Sequence, residues 1–486
     1  MTPENILLSI VLLPVVGAFV LPLLGKVSEK LRNALALLVI TASFVLSLSL
    51  IPGSMAGHIV TIFKPMGLGC NFSLVADPLA VFMACVSSLI SAVIILYSFG
   101  YISHYENRNE YYTMVVLFVG SMMGLIFSAN LILLYVFWEV TAITSWRLIG
   151  FFREKKHVAR ADKAFLVTVF GALLMLLGFI TLYQETGSFD LAVIKDFLKT
   201  NQLSNLTVAL ILAGILSKSA TLPFHTWLPD AGVAPSPVTA LLHAAVLVKI
   251  GVYVFARLFV ATFPLAVLWQ TVVPVIAALS AIVAAGAALV ETDLKRLIAY
   301  STVSQIGFIF FGLCIGNTLG LIGGLLYILM HGLAKAGLFL CAGIVEQKAK
   351  NKDITKLGGL FATMPVTGIA FLFCALSVMG VPPFGGFFSK YMVFAGAIQK
   401  GQLWMTTAFL ACAVLTILYL FRAFNLVFLG EAHGPTAKEA SPGWAGHVMV
   451  FSVALFALLS LLGGIFINYP YQFVQAIVNF TIGAAQ

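Results

Sequence analysis

The chain has 486 residues, of which 61% are hydrophobic and only 9% charged, whereas about a quarter of a soluble globule's residues carry charge. A mean hydropathy of +1.06 makes it an integral membrane protein. The net charge of +9 would suit nucleic acid, but in a membrane protein such an excess gathers on one loop face, so no nucleic-acid partner is expected.

At about 20 residues per crossing, the apolar runs predict an all-α polytopic membrane protein of about 14 transmembrane helices. In chain order they fall at 5–24, 33–51, 77–100, 112–128, 130–150, 163–184 and 206–222, then 237–259, 268–290, 295–316, 318–345, 364–397, 403–429 and 447–468. The first run, Ile6 to Leu24, lacks a cleavage site and reads as a span rather than a removed signal. The joining segments leave no room for a soluble domain with its own core. Residues 187–202 mix Phe189, Leu191 and Ile194 with Asp190, Lys195 and Asp196, which fits either a short interfacial helix or a polar loop.

The loops predict orientation. Lys26, Lys30 and Arg32 follow the first span, Arg153, Lys155, Lys156 and Arg160 the fifth, and Lys295 and Arg296 the ninth. Lys348, Lys350, Lys352 and Lys356 follow the eleventh. All share one face, which the positive-inside rule makes cytoplasmic. Both termini are then expected on the outer face of the cell (cytoplasmic or inner) membrane. The six cysteines, Cys70, Cys85, Cys314, Cys341, Cys374 and Cys412, form no CxxC pair and read as small buried hydrophobes. No iron–sulfur, haem, flavin or nucleotide motif is present, so no cofactor or metal is expected.

Two spans carry helix breakers. Pro223 and Pro229 follow Lys218, and Pro382, Pro383, Gly385 and Gly386 precede Lys390. Proline removes a backbone donor and clashes with the preceding turn. Interrupted helices in corresponding halves point to a transport site. A faint repeat, 239–247 against 407–415, is compatible with two halves.

Ionisable residues stand where the chain should be buried in hydrocarbon: Glu139, Lys218, Lys249, Lys335 and Lys390. Each costs roughly 3 kcal/mol at bilayer depth, and such residues by default mark ion paths or proton relays. His331 and Lys335 stand one turn apart on a helical face, and His243 lies in the eighth run. Histidine suits proton transfer near neutrality. The competing readings are structural: Glu139 with Lys218 as a static pair, Lys249 as a span-end residue, and His243 or His331 bonded to a neighbouring helix. Lys335 could likewise be a structural partner. His225 leans structural, Asp230 reads as a cap or loop carboxylate, and Asp293, Lys295 and Arg296 read as a solvated turn. His58, His104, His157, His433 and His447 receive no role.

The stretches Phe-Trp-Glu139, Lys218-Ser-Ala, Pro-Phe-His-Thr-Trp-Leu-Pro-Asp-Ala231, Ala-Tyr-Ser-Thr-Val-Ser-Gln-Ile-Gly307 and His331-Gly-Leu-Ala-Lys-Ala resemble the antiporter-like subunits of respiratory complex I. The large subunits of multi-subunit sodium/proton antiporters and the membrane arms of energy-converting hydrogenases and formate hydrogenlyases belong to the same family. The resemblance covers about residues 70–430 and implies two inverted five-helix repeats with broken helices 7 and 12. It divides the single membrane domain into helices 1–3 (1–105), a first repeat (110–260), a second repeat (265–430), and helix 14 with its tail (445–486). It makes Glu139 the governor of Lys218, with protons passing by water and His243 towards Lys249, Lys335 (with His331) and Lys390. Arg147 occupies a usually apolar position, where it would snorkel to the cytoplasmic edge or tune Glu139. The chain stops soon after the fourteenth span, so the long lateral helix of the largest complex I subunit is not expected.

The expected function is proton translocation within a larger redox-driven complex, without redox chemistry of its own. Its expected partners are further antiporter-like subunits and a peripheral redox module. The alternative is membership of a multi-subunit sodium/proton antiporter with no redox partner. A quinone-binding enzyme subunit is disfavoured.

Overall fold

The computed structural model describes residues 1–66, 71–431 and 443–483; Cys70 and His433 lie outside them. Among the described residues twelve helices are long and apolar enough to cross a membrane. The first six are Pro3–Val27, Glu29–Met55, Pro78–Tyr101, Arg108–Phe127, Leu131–Ile149 and Lys155–Thr186. They are followed by Ser236–Val260, Val267–Val290, Leu294–Cys314, Thr318–Ala349, Leu403–Phe428 and Trp444–Ile465. In order these are spans one to six, eight to eleven, thirteen and fourteen. The two missing numbers are the spans that sequence marks as broken.

Span seven is a helix only over Asn205–Lys218. The chain then crosses Pro223 irregularly and resumes as single turns at Trp227–Asp230 and Ala231–Val233. Span twelve, expected as one stretch over 364–397, is two helices, Pro365–Met379 and Gly385–Gln399. Its first half ends at Gly380, whose φ of +83° is left-handed and free of steric cost only for glycine. Pro382 and Pro383 then prevent the helix from continuing.

Among the described residues the one β element is an antiparallel hairpin of Val60–Lys64 with Phe72–Ala76. Within 187–202 a short helix, Leu191–Phe197, buries Leu191 and Ile194. A further helix, Asn468–Gly483, follows span fourteen.

Spans three, eight, ten and eleven are almost entirely buried and form the centre. Spans one, two and thirteen turn Leu12, Phe19, Leu38, Val45, Val414 and Phe421 outward. Helix satisfies its own backbone, so such faces can meet lipid. Span eight contains two widened π turns, Leu241–Ala245 and Ala256–Val260, on either side of Leu247–Phe255. Single π turns within α-helices are frequent at functional sites.

The turn before span ten corrects the sequence reading. Asp293 caps the helix through the Lys295 and Arg296 amides and pairs with Lys352. Lys295 is not solvated but 2% exposed, because Nζ reaches Ala234 O and Glu346, both at 2.9 Å. Asp230 is more than a cap: it accepts from Lys163 at 2.8 Å and Arg296 at 2.6 Å, joining the segment after the break to spans six and ten.

Span eight presses against the break in span seven at Gly251. A Cβ there would stand 2.0 Å from Ser219 Oγ and 2.6 Å from the Ile215 carbonyl oxygen. Gly251→Val is therefore expected to destabilise the fold by about 1–3 kcal/mol, the usual cost of overpacking. A lowered melting temperature of the purified protein would show this, and an unchanged one would refute the close packing.

Candidate functional site

Span five carries Glu139 and span seven ends on Lys218, and the break leaves Lys218 buried with 0% exposure. Its Nζ donates to the Trp138 carbonyl at 3.2 Å and stands 5.2 Å from the Trp138 ring centroid. The lysine thus holds the backbone beside Glu139 rather than its carboxylate. No oxygen of Glu139 comes within 4.0 Å of Lys218 Nζ, the reach of an ion pair, although the two charges act on each other. Glu139 Oε1 is buried and has no hydrogen-bond partner among the described residues.

The remaining residues form a second group around spans eight, eleven and twelve. His243, Lys249, His331 and Lys335 have 0% exposure and Lys390 has 4%. Lys249 Nζ and His331 Nδ1 share a hydrogen bond of 2.8 Å, with donor and acceptor set by the tautomer. His331 also feels the charges of Lys335, Lys390 and His243. Lys335 Nζ donates to Ser301 Oγ at 2.6 Å and the Ile298 carbonyl at 3.2 Å. Lys390 Nζ donates to the Val378 carbonyl at 2.7 Å and stands over the Phe308 and Tyr327 rings, 4.6 and 5.5 Å from their centroids. Among the described residues, Lys249, Lys335 and Lys390 make no ion pair with a carboxylate within 4.0 Å.

His243 lies on the first π turn, 4.4 Å from the Phe339 ring centroid. Neither of its nitrogens has a partner among the described residues, nor do the Ser219, Thr221 and Ser304 hydroxyls. Orphaned buried polar atoms of this kind mark places for ordered water. Among the described residues, no direct hydrogen bond joins the Glu139–Lys218 pair to the second group.

The sequence reading missed a network that ties this group together. Ser301 Oγ meets the Tyr419 hydroxyl at 2.7 Å, and Tyr419 donates to Thr416 Oγ1 at 3.3 Å. Gln305 Nε2 donates to the same Thr416 oxygen at 3.1 Å, while Gln305 Oε1 accepts from Tyr327 at 2.5 Å. Spans ten, eleven and thirteen supply these groups, and the Tyr327 ring lies 5.8 Å from that of His331. The usable signal was the four-residue spacing of Ser301 and Gln305 in span ten. A second omission was Asp77, whose partner Arg257 stands 180 residues away. Arg147 does not tune Glu139 by contact. It bonds Glu110, which Arg153 also reaches at 2.7 Å.

The transmembrane model of the NADH:quinone oxidoreductase/Mrp antiporter family matches residues 128–416. A second model, for the N-terminus of NADH-ubiquinone oxidoreductase (complex I) chain 5, matches residues 63–112. The first covers more than half of the chain, which therefore belongs to this family. Among curated proteins, a Na(+)/H(+) antiporter subunit of Alkalihalophilus pseudofirmus is 33% identical over 94% of this chain and 60% of its own length. The corresponding Na(+)/H(+) antiporter protein of Staphylococcus haemolyticus is 32% identical over 96% of this chain and 62% of its own. The chloroplastic NAD(P)H-quinone oxidoreductase subunit 5 of Chaetosphaeridium globosum is 36% identical over 82% of this chain and 62% of its own. The chain thus spans about three fifths of these relatives. The fold matches a chain of the Mrp complex from Dietzia at a TM-score of 0.89 and 22% identity, over 99% of this chain and 98% of that one. It also matches a chain of an archaeal membrane-bound sulfane sulfur reductase at 0.88 and 23%, with the same coverage.

Gln305 is the hub of the hydroxyl network. Gln305→Leu would leave the buried Tyr327 hydroxyl without its acceptor, at a cost of about 1–3 kcal/mol. Thermal unfolding of the purified protein should show the loss, with Tyr327→Phe costing less. Equal stability of Gln305→Leu and wild type would sink the network.

Proposed function

We propose that the chain is an antiporter-like subunit of a larger ion-translocating complex, in which protons move sideways through the membrane along buried amines and imidazoles. The relay comprises Glu139, Lys218, His243, Lys249, His331, Lys335 and Lys390. The observation that carries this reading is the Lys249–His331 contact of 2.8 Å inside a cluster whose lysines, among the described residues, are bonded to an imidazole, a hydroxyl and backbone carbonyls and make no ion pair with a carboxylate. Like charges at this depth repel and lack counter-ions, so the amines cannot all hold protons together. A proton arriving on one group displaces the proton of its neighbour. Glu139, outside contact with Lys218 but within reach of its charge, would set when the first lysine keeps its proton. Residues 110–260 and 265–430 then serve as two repeats, each with its broken helix. The setting is the cytoplasmic (inner) membrane, with both termini on the outer face and the lysine-rich loops inside.

The driver is better read as sodium/proton exchange than as electron transfer. The relatives named for Na(+)/H(+) antiport align over 94–96% of the chain, against 82–87% for the quinone oxidoreductases. The partners are then further antiporter-like membrane subunits. A peripheral redox module belongs to the second reading. In either, this chain carries ions and performs no redox chemistry.

Glu139→Ala and Lys218→Ala should abolish ion movement in the assembled complex, measured by a pH-sensitive dye in membrane vesicles. Normal transport in both would remove the relay. Lys335→Arg should also be inactive, because guanidinium does not release its proton in proteins. A fully active arginine variant would make position 335 a fixed charge only.

A further inference from the structure

Span eight carries more than a relay lysine. Lys249, Tyr253 and Arg257 follow one another at four-residue intervals along a helix buried throughout, a spacing that places them on one face. Arg257 Nε and Nη2 donate to the Tyr253 hydroxyl at 3.0 and 2.8 Å, and that hydroxyl donates to the Ile126 carbonyl near the end of span four. Arg257 also forks onto Asp77, Nη1 to Oδ2 at 2.5 Å and Nη2 to Oδ1 at 2.8 Å. Asp77 in turn caps span three by accepting from the Ala80 amide. Arg257 is 4% and Asp77 7% exposed.

The start of span three and the ends of spans four and eight lie at the face opposite the lysine-rich loops. Arg257 stands eight residues beyond Lys249, about 12 Å at the helical rise. The ion pair therefore lies between the relay and that face.

A guanidinium cannot pass a proton on, and a bidentate pair with a carboxylate is both strong and fixed in direction. Asp77, engaged by two guanidinium bonds and an amide, has little capacity left for a travelling proton. We infer that the Asp77–Arg257 pair is a seal that closes the relay at Lys249 off from the face where span three begins. This inference rests on the relay reading above. The pair is no member of the relay; it keeps protons on the sideways path and prevents a leak.

The test uses membrane vesicles containing the whole complex, with an imposed pH gradient whose decay is followed by a dye. Arg257→Gln frees the Asp77 carboxylate and should speed the decay several-fold while the complex still assembles. Adding Lys249→Met should return the decay to the wild-type rate, because the leak runs through Lys249. Wild-type decay in assembled Arg257→Gln overturns the seal, as does a leak that survives Lys249→Met. Should Arg257→Gln fail to assemble, Asp77→Asn is read in the same way. Transport by Lys249→Met alone separates the two claims: its loss, beside a tight Arg257→Gln, condemns the seal and spares the relay. Wild-type transport in Lys249→Met condemns the relay itself.

Discussion

Three buried lysines are held by backbone carbonyls instead of carboxylates, and the arrangement of the centre depends on that. Lys218 takes Trp138 O, Lys335 takes Ile298 O, and Lys390 takes Val378 O. A carboxylate partner in a low dielectric would fix the amine in its charged form. A carbonyl dipole bonds either form, since a neutral amine also keeps N–H donors. For Lys390 the carbonyl belongs to the last turn before the break in span twelve, where a helix presents unpaired acceptors and a negative dipole end.

The broken helices thus have a definite role in the geometry. Hydrocarbon tolerates irregular backbone only where protein or water satisfies it. At both breaks the satisfaction comes from inside: Ser217 O takes the Trp227 indole at 3.0 Å, and Val378 O takes Lys390. Between the breaks, the π turns of span eight place His243 and Arg257 on either side of Lys249. Ordinary ion pairs, by contrast, sit near the ends of spans, as in Lys163–Asp230–Arg296 and Arg147–Glu110–Arg153.

Much of this was legible in residue order. Twelve of the fourteen apolar runs appear as single membrane-length helices and the two proline-broken ones as interrupted spans, because hydrocarbon forces each run to close its own hydrogen bonds. The buried lysines were visible as charges out of place. Three things were not visible. Lys295 looked solvated because Glu346 and the Ala234 carbonyl are brought to it from distant segments. The meeting of Gln305 and Ser301 with Thr416 and Tyr419, more than a hundred residues away, is set by packing alone. Asp77 drew no reading at all, since its partner Arg257 stands 180 residues away.

Sequence alone determined what each span is: its length, its polarity, its breaks and its out-of-place charges, all of which follow from local chemistry and the thickness of a bilayer. Which charges meet was decided only by tertiary packing. Lys249 and His331 are 82 residues apart and Arg257 and Asp77 180, and helical periodicity fixes a residue's face but not the neighbour that face will find.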